Sequence, residues 1–370
     1  MLTETEPCTV AGSVEVVMAT LYLMEQYSVV KVEGEALRVQ FPKDHAANER
    51  GRVVRVPLAK IEQVLVLGDI TLTTPALHML MELGIPVHYL SQYGKSYGTL
   101  TGNPGKNSGL RLAQCALRGD LARQFAVARQ CVAGKLVNMR TLLLRYARSR
   151  EQDEQELLTV AAAQVQQCLH QLKYLAAPVA IDPADRMHGL GPLLGLEGSG
   201  SSAYYGAFGA MLREPWAFVG RVKRPPTDPV NALLSFGYTI VTKQLVSLVW
   251  AVGLDPGIGV LHQPGFGKPA LALDLVEQFR PIVVDSVVLT LLNTGQLKPE
   301  DFVMEMGSCR LQDDARKVFL QKLEERLEEK VQHPIFKYKT TYRRCMELQA
   351  RLFAKYAQGE IEQYVPFTVR

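Results

Sequence analysis

The chain is divided by one stretch, Gly102-Asn103-Pro104-Gly105-Lys106-Asn107, which combines two glycines, one proline and two asparagines. Glycine and proline interrupt regular secondary structure, so this composition is typical of a linker. Apolar runs are short before this stretch, whereas after it apolar residues recur at helical spacing. We therefore predict an α+β fold, in which a linker at residues 102–108 joins a small β-rich domain to a larger all-α domain.

The part before the linker, residues 1–101, has the pattern of a β-sandwich-like domain. Short apolar or β-branched runs between polar or glycine-containing breaks are typical of strands. The predicted strands are Ala19–Tyr22, Val29–Val32, Leu37–Phe41, Val53–Val56, Ile61–Leu67, Ile70–Thr73 and Ile85–Leu90. One helix is predicted from Thr74-Pro75, an N-cap followed by a first-turn proline, to Leu83, and it ends at Gly84.

The part after the linker is predicted to be helical almost throughout. Amphipathic spacing and bounding Gly, Pro or Asp residues define an all-α domain over residues 109–334. The predicted helices are Leu110–Tyr146, Glu151–Tyr174, Gly189–Leu212, Pro229–Val252, Ala270–Leu292 and Leu311–Gln332. Pro281 is expected to kink or split the fifth of these. A helix at Thr341–Tyr364 follows the His333-Pro334 break and predicts a helical extension over residues 335–370.

The composition excludes several classes of protein. Hydrophobic residues make up 47% of the chain and charged residues 21%, which is typical of a globular protein and not of a disordered one. The six cysteines form no Cys-x-x-Cys pair, so a zinc ribbon is excluded and a reducing compartment is favoured. The first residues lack an apolar signal run, and the apolar stretches at 246–254 and 282–292 are too short to span a bilayer. We expect a soluble, cytoplasmic protein that does not enter a membrane.

The positive charge is unevenly distributed, although the formal net charge is only +4. Residues 106–150 contain ten Lys or Arg against one acid, and residues 335–355 contain six against one acid. Such clusters are expected where a protein contacts phosphate groups of nucleic acid. The alternative is that they are solvated faces of ordinary helices.

Two segments of the helical part each carry one candidate site residue. Glu197 lies among small residues in the segment 195–202, which would allow another backbone or a ligand to approach closely. The alternative for Glu197 is tight helix packing without a ligand. His262 follows the glycine-containing break at 257–259. A lone histidine is more often a hydrogen-bonding residue than a metal ligand, so His262 alone decides nothing.

A third segment carries Asp274 and Glu277, which are three residues apart and therefore project from one helix face. Apolar neighbours make this face partly buried, where two like charges repel each other and lose hydration. A divalent cation would remove both problems. The alternative is a pair of solvated acids close to Arg280.

Together these segments offer three carboxylates and one imidazole. Oxygen ligands with a single histidine suit Mg²⁺ or Mn²⁺. Such an ion can polarise a phosphoryl oxygen and activate a hydroxyl group, as cutting or rejoining a phosphodiester requires. From the residues alone, the prediction ends at a possible metal site in a basic helical protein.

At these residues the chain resembles the CRISPR-associated integrase that acquires new spacers, over about residues 20–302. The metal-site segments carry the most specific likeness: Leu196-Glu197-Gly198, Leu261-His262 and Leu273-Asp274-Leu275-Val276-Glu277-Gln278-Phe279-Arg280-Pro281. Further likeness lies in Arg224-Pro225-Pro226-Thr227-Asp228-Pro229-Val230-Asn231-Ala232-Leu233-Leu234-Ser235-Phe236-Gly237-Tyr238, and in the N-terminal segments Val66-Leu67-Gly68-Asp69-Ile70-Thr71-Leu72-Thr73 and Gly84-Ile85-Pro86-Val87-His88-Tyr89-Leu90. Two features depart from it: Ser199, Ser201 and Ser202 stand where alanine is expected, and the tail beyond Pro334 lies outside the resemblance.

The resemblance implies a metal-dependent DNA endonuclease and integrase of CRISPR adaptation. Such enzymes join a DNA 3′ hydroxyl to a phosphodiester of the CRISPR repeat by direct transesterification. By this likeness Glu197, His262 and Asp274 would be the catalytic metal ligands for Mg²⁺ or Mn²⁺. Glu277 would be a further acid at the metal site, as a weak ligand or an outer group.

The resemblance also implies partners. It predicts double-stranded DNA as substrate, a homodimer formed through the β-rich domain, and a small ferredoxin-like partner subunit of CRISPR adaptation. The expected DNA contacts are Arg221, Lys223 and Arg224 near the active site, with Lys95 and Arg111 as further candidates; the alternative for each is an ordinary surface charge.

Two other functions compete with the integrase interpretation. One is a metal-dependent nuclease that cuts branched DNA in repair through the same site. The other is a catalytically idle DNA-binding scaffold in which the acidic residues are structural.

Overall fold

The computed structural model describes residues 14–17, 20–42, 52–103, 107–179 and 189–369. It consists of two compact units, Met1–Pro104 and Gly105–Arg370. Part of the predicted linker, Pro104–Lys106, lies outside the described residues, as do Ala19 and Cys8. The five described cysteines are all free thiols.

The N-terminal unit contains two sheets. Its strands are β1 Val14–Val17, β2 Thr20–Leu23, β3 Val29–Glu33, β4 Ala36–Gln40, β5 Val53–Pro57, β6 Gln63–Leu67, β7 Thr71–Leu72, β8 Val87–Leu90 and β9 Ser96–Leu100. One sheet has the order β1-β2-β6-β8-β9 and the other β5-β4-β3-β7. Pairing is antiparallel except between β2 and β6, β6 and β8, and β3 and β7, which are parallel.

A single core holds the N-terminal unit together. Alternate residues of the strands point inward, and Leu21, Val30, Leu37 and Val64 are fully buried in one cluster. The helix α1, Thr74–Glu82, buries Ala76 and Leu80 in the same cluster. The predicted helix at Thr74-Pro75 is therefore confirmed. It ends at Gly84, whose φ of +70° is accessible to glycine at little cost.

The C-terminal unit is mostly helical. Its helices are α2 Ser108–Gly119, α3 Leu121–Ala147, α4 Gln152–Tyr174, α5 Gly191–Ala207, α6 Pro229–Val252, α7 Ala270–Val276, α8 Ser286–Asn293, α9 Asp313–Glu328 and α10 Tyr342–Gln358. With the strand-rich first unit, this arrangement confirms the predicted α+β class. The core helix α6 is the one described helix long and apolar enough to cross a membrane, and 72% of its apolar window is buried inside the protein, as in a core helix.

Two predicted helices are divided in the structure. The segment predicted as one helix at Leu110–Tyr146 is α2 and α3, because Asp120 adopts an extended conformation and accepts a hydrogen bond from Arg123 N (3.0 Å) as the N-cap of α3. The segment at Ala270–Leu292 splits as Pro281 predicts. There α7 is followed by a π-helical turn, Arg280–Asp285, and then by α8.

The region expected to be all-α also contains short strands. A hairpin forms between β10, Phe302–Glu305, and β11, Ser308–Leu311, and a second between β12, Lys330–Gln332, and β13, Lys339–Thr341. The predicted helix to Gln332 therefore ends early, and Lys330–Gln332 becomes a strand. The reversal between β10 and β11 uses Met306 and Gly307, both with positive φ.

Residues 335–370, predicted as a separate helical extension, belong to the compact C-terminal unit. Helix α10 packs against α2, α6 and α9. Beyond it, Tyr364 and Phe367 are almost completely buried. Aromatic side chains interleaved with the basic residues of this segment provide the apolar surface that holds it in the core.

Candidate metal and DNA site

The first side chain of the site, Glu197, lies on α5 where that helix closely approaches α3. The approach depends on Gly200, because a methyl group added there would lie 2.5 Å from Leu136 Cδ2. Glu197 Oε1 therefore contacts Lys135 Nζ on α3. It also accepts a hydrogen bond of 3.0 Å from Ser201 Oγ, so one of the unexpected serines holds this carboxylate in place.

The second carboxylate, Glu277, follows α7 and is buried between two cations. Its Oε2 lies 2.9 Å from Lys135 Nζ, and its Oε1 accepts a hydrogen bond of 2.6 Å from Arg280. Burial alone would raise the pKa of Glu277, but Arg280, Lys135 and His262 together lower it to about 2. Burial alone would lower the pKa of Lys135, whereas Glu277 and Glu197 raise it. Glu277 is therefore ionised at any physiological pH.

The third part of the site is the loop that carries His262. Asp274 on α7 is fully buried and accepts backbone hydrogen bonds from Val260 (2.6 Å), Leu261 (3.0 Å) and His262 (2.8 Å). Its Oδ1 also lies 2.7 Å from His262 Nδ1. Gly259 makes this close approach possible, since a methyl group added there would lie 2.6 Å from Asp274 Oδ2.

These contacts separate the four predicted ligands into two groups. Glu197 and Glu277 meet at the Lys135 ammonium group, whereas Asp274 faces backbone amides and the His262 ring. His262 lies within electrostatic range of Glu277. Within the described ranges, no three His, Cys, Asp or Glu side chains stand together as a ready metal centre. The Lys135 ammonium group occupies the place between the two carboxylates.

The predicted DNA contacts near the site differ in their surroundings. The Arg221 guanidinium donates to Asn231 Oδ1 (2.7 Å) and Ser235 Oγ (2.9 Å), so it mainly orders the segment before α6. Lys223 is exposed. Its amine is nevertheless partly shielded from solvent by its neighbours. This partial desolvation, followed by repulsion from Lys135 and Arg280, lowers the pKa of Lys223, whereas Glu277 raises it, which places Lys223 within electrostatic range of the site. Arg224 is exposed next to a cis Arg224–Pro225 bond.

The remaining two predicted contacts are Lys95 and Arg111. Lys95 is exposed in the N-terminal unit, with its Nζ 5.9 Å from the centre of the Tyr97 ring. Arg111 is half-buried on α2 of the C-terminal unit. Part of the basic cluster at 106–150 also points inward: Arg118 donates to Gly259 O (2.8 Å), and Lys135 is paired with two carboxylates. These two side chains therefore have partners inside the protein, and neither is a solvated charge on a helix surface.

Sequence reasoning missed two features of the site. Lys135 was counted as a surface charge, although it lies among the apolar residues Cys131, Val132, Leu136 and Met139, a pattern that indicates a buried helix face. The second is a buried cluster around Asp285, which accepts hydrogen bonds from Tyr204 (2.7 Å) and Tyr238 (2.5 Å). The Arg280 guanidinium lies 4.8 Å from the centre of the Tyr238 ring and so connects the two features.

Comparison with known proteins identifies relatives over nearly the whole chain. A Cas4/Cas1 exonuclease–endonuclease fusion of Geobacter sulfurreducens is 39% identical over 356 residues, covering 95% of this chain and 60% of the fusion. This chain therefore spans less than two thirds of the fusion's length. The CRISPR-associated endonuclease Cas1 3 of Thermus thermophilus is 35% identical, with coverage of 95% of this chain and 98% of the relative.

Solved structures share the fold. A casposase bound to integration product superposes with a TM-score of 0.78 at 21% identity, covering 94% of this chain and 93% of the casposase. A Cas1 protein from Thermotoga maritima gives 0.76 at 23% identity, covering 94% and 98%. A chain of a Cas6-RT-Cas1–Cas2 complex gives 0.76 at 25% identity, covering 97% of this chain and 37% of the other.

The family assignment rests on these relatives and on the family model. The model described as CRISPR associated protein Cas1 matches residues 21–325, which include all four predicted ligands. The resemblance and the enzyme class predicted from the sequence are thereby confirmed, since the curated relatives are named CRISPR-associated endonucleases. The chain belongs to the Cas1 family of CRISPR-associated proteins.

Proposed function

We propose that the chain is a metal-dependent DNA integrase and endonuclease of CRISPR adaptation. It would join 3′ hydroxyl ends of a captured fragment to the CRISPR repeat by direct transesterification. The observation that carries this proposal is the meeting of Glu197 and Glu277 at one buried cation, Lys135, with His262 within electrostatic range of Glu277. Two carboxylates and an imidazole in a site with basic residues around it suit phosphodiester chemistry.

Three side chains are proposed to hold Mg²⁺ or Mn²⁺: Glu197, Glu277 and His262 through Nε2. The donor set fits a hard divalent cation, with Mn²⁺ the more tolerant of the nitrogen ligand. When bound, the ion would polarise the scissile phosphodiester and help to ionise the attacking hydroxyl. Lys135 would move aside or remain as a further positive charge that offsets charge developing on the phosphate.

Asp274 is proposed to orient His262 instead of ligating the metal as first expected. Its oxygens already accept three backbone N–H groups and face His262 Nδ1, which leaves little capacity for a cation. A proton on Nδ1 donated to Asp274 fixes the tautomer whose Nε2 carries the lone pair. Asp274 would therefore support catalysis through the histidine that it holds.

Lys223 and Arg224 are the favoured DNA contacts. Both are exposed, and Lys223 lies within electrostatic range of Glu277, so a phosphate held there would stand next to the metal ligands. Arg221 would support their segment by ordering it against α6. Lys95 and Arg111 stay as proposed DNA contacts.

The proposed assembly is a homodimer formed through the N-terminal unit, together with a small ferredoxin-like partner subunit. One of the solved structures with this fold is a complex that contains Cas1 and Cas2, which supports a partner of that kind. The substrate would be double-stranded DNA, both as the donor fragment and as the repeat.

The direct test incubates the protein and a candidate partner subunit with a labelled donor duplex and a supercoiled plasmid carrying a CRISPR repeat. Joined product is expected with Mn²⁺ or Mg²⁺, and none with a chelator or with His262→Ala. His170→Ala is the matched control, because His170 is exposed on α4 of the same unit and should leave joining unchanged.

Two other outcomes favour other functions. Metal-dependent cutting of branched junctions that is far faster than joining would favour the repair nuclease. DNA binding without cutting or joining under any metal would favour the idle scaffold and reject the proposed site.

A further inference from the structure

A short segment at the C-terminus, Tyr364–Val369, lies beside the two elements that carry Lys135 and Glu277; we call it the C-terminal strap. Phe367 is fully buried, and its ring stacks on Phe279 with 5.2 Å between ring centres. The family model matches residues 21–325, so the strap lies outside the part of the chain to which that model applies. Its position beside these two elements indicates a functional role in addition to packing against the core.

The strap is bound by the side-chain amide of Gln278, the residue directly after Glu277. Gln278 Oε1 accepts a hydrogen bond from Phe367 N (2.6 Å), and Nε2 donates to Tyr364 Oη (2.9 Å). Gln278 is fully buried, so these bonds do not compete with water. The backbone that presents Glu277 is therefore tied to the strap.

The strap is bound a second time by Asn138, which lies one turn after Lys135 on α3. Asn138 Nδ2 donates to Phe367 O (3.0 Å) and to Gln278 O (2.6 Å), and Oδ1 accepts from Val369 N (2.9 Å). One buried amide thus joins α3, the strap and the turn after α7. Lys135 and Glu277 are presented by the first and the last of these.

There is no spare room between the strap and α3. Gly134 directly precedes Lys135, and a methyl group added there would lie 2.8 Å from Pro366 Cβ and 3.2 Å from Gln278 Cβ. A separation below 3.0 Å cannot be tolerated without movement, and the proline ring has little freedom to move. The strap therefore fixes the separation of the two elements by contact as well as by hydrogen bonds.

We propose that the C-terminal strap is a positioning element of the metal site, with Asn138 and Gln278 as the positioning residues. By fixing the Glu277 turn against α3, it would keep the Glu277 carboxylate in place to bind a divalent cation together with Glu197 and His262. Groups that orient metal ligands from outside typically change metal affinity by about 10- to 100-fold when removed. The inference rests on the proposed metal site.

The first test is Gly134→Ala, which removes no polar group and inserts one methyl group between α3 and the strap. Mn²⁺ binding to the full chain, measured by calorimetry or by the electron paramagnetic resonance of free Mn²⁺, is expected to weaken by about 10-fold or more. The midpoint of thermal unfolding should change by less than about 3 °C, because alanine favours the helix and offsets part of the crowding. Gly206→Ala on α5 is the control, since a methyl group there meets nothing within 4 Å.

The second test is Gln278→Met, compared with Gln244→Met. Both remove a buried amide that forms a hydrogen bond, and Gln244 Nε2 donates to Glu324 Oε1 on α9 (3.0 Å). Only Gln278→Met is expected to weaken Mn²⁺ binding. By reciprocity, Mn²⁺ should slow hydrogen exchange at the Phe367 and Val369 amides of the wild-type chain. This last measurement decides the matter if neither variant folds.

The outcomes distinguish failure of the proposed metal site from failure of the proposed positioning role of the strap. If the wild-type chain binds Mn²⁺ through Glu277, and Gly134→Ala and Gln278→Met bind it equally tightly, the strap is structural only and the inference is overturned. Absence of slowed exchange at Phe367 and Val369 overturns it as well. If the wild-type chain binds no Mn²⁺, or Glu277→Gln binds it as tightly, the proposed metal site fails and the inference fails with it.

Discussion

Glu277 and Asp285 are buried carboxylates eight residues apart, and the protein keeps them in its interior by different means. Glu277 lies between Lys135 and Arg280, and these cations help to lower its pKa to about 2. Asp285 accepts hydrogen bonds from Tyr204 and Tyr238, and burial raises its pKa to about 6. Burial alone therefore does not decide whether a carboxylate in this core is charged, because the neighbouring groups also shift its pKa.

The difference matches the proposed roles of the two residues. A metal ligand must be ionised, and the cations around Glu277 maintain its charge before any metal binds. Asp285 serves packing, since its hydroxyl partners lie on α5 and α6 and join these helices to the π-helical turn. Arg280 links the surroundings of the two carboxylates, because it pairs with Glu277 and lies over the ring of Tyr238, which donates to Asp285.

The largest effect is expected from Glu277→Gln, compared with Asp285→Asn. The glutamine keeps the shape of Glu277 but removes its charge, so the rate of joining should fall by at least about 10³-fold, equal to about 4 kcal/mol. Asp285→Asn should lower this rate by less than about threefold. Both rates are measured with a labelled donor under saturating Mn²⁺. Equal losses would show that the two carboxylates do not differ in function.

Lys135→Met tests whether a cation is needed between the two carboxylates. Without metal, Glu197 and Glu277 would face each other uncompensated, and the free energy of unfolding should fall by about 3–5 kcal/mol. Millimolar Mn²⁺ should restore much of this loss, because an ion that binds only the folded state stabilises it. The measurement is urea unfolding with chelator and with Mn²⁺.

A control for this prediction is Lys243→Met on α6. Burial lowers the pKa of Lys243, and its replacement removes a buried amine away from the two carboxylates. Mn²⁺ should not rescue this variant selectively. If Lys135→Met lost the same free energy with and without Mn²⁺, the ammonium group would not be standing in for a metal.

Asp285→Asn is predicted to change how stability depends on pH. The pKa of Asp285 is raised from 3.8 to about 6 in the folded state, so the folded state binds this proton more tightly than the unfolded state. Its contribution to stability is complete below about pH 4 and is lost as the pH rises to about 6. Relative to Asp285→Asn, the wild-type chain should lose at most about 3 kcal/mol between these pH values. Urea unfolding at pH 4.5 and 7.5 tests this, and an equal difference at both would contradict it.

Asp274 is a third buried carboxylate, and its hydrogen bonds come from backbone amides and from His262. The variant Asp274→Asn extends the comparison to this residue. The asparagine cannot accept all of these bonds, so the His262 ring should lose its fixed tautomer. Mn²⁺ affinity and joining should each fall by about 10- to 100-fold, or about 1.4–2.7 kcal/mol. Asp255→Asn is the control, because Asp255 accepts from Gly257 N (2.7 Å) in the same loop without touching His262. Equal losses in both variants would assign Asp274 to loop folding alone.

Much of the fold could be predicted because its signals are local. The linker at Gly102–Asn107, the cap at Thr74-Pro75 and the break at Pro281 are each set by a few residues with strong backbone preferences. The division between α2 and α3 was missed, because the apolar spacing continues across Gly119 and Asp120. The strand Lys330–Gln332 was missed because it depends on pairing with β13.

The site could be predicted only in part, because its geometry depends on contacts distant in sequence. Glu197, His262 and Glu277 can be proposed from their own segments. Lys135 is 62 residues from Glu197, and the sequence of its basic helix does not indicate that contact. The contrast between Asp274 and Glu277 is also not visible in sequence. Both acids lie on one helix face, and only the path of the 259–262 loop distinguishes them.

The pairing of Lys135 with Glu197 and Glu277 has a consequence for how the protein is made. Since the carboxylates already have a cation, the polypeptide can mature without an ion being inserted during synthesis. Under the proposed metal dependence, the supply of the ion could vary without loss of folded protein, and withdrawal by a chelator should return the protein to a resting form. The abundance of free divalent ions, and not the folding of new chains, would then set how much of the protein is active at a given moment.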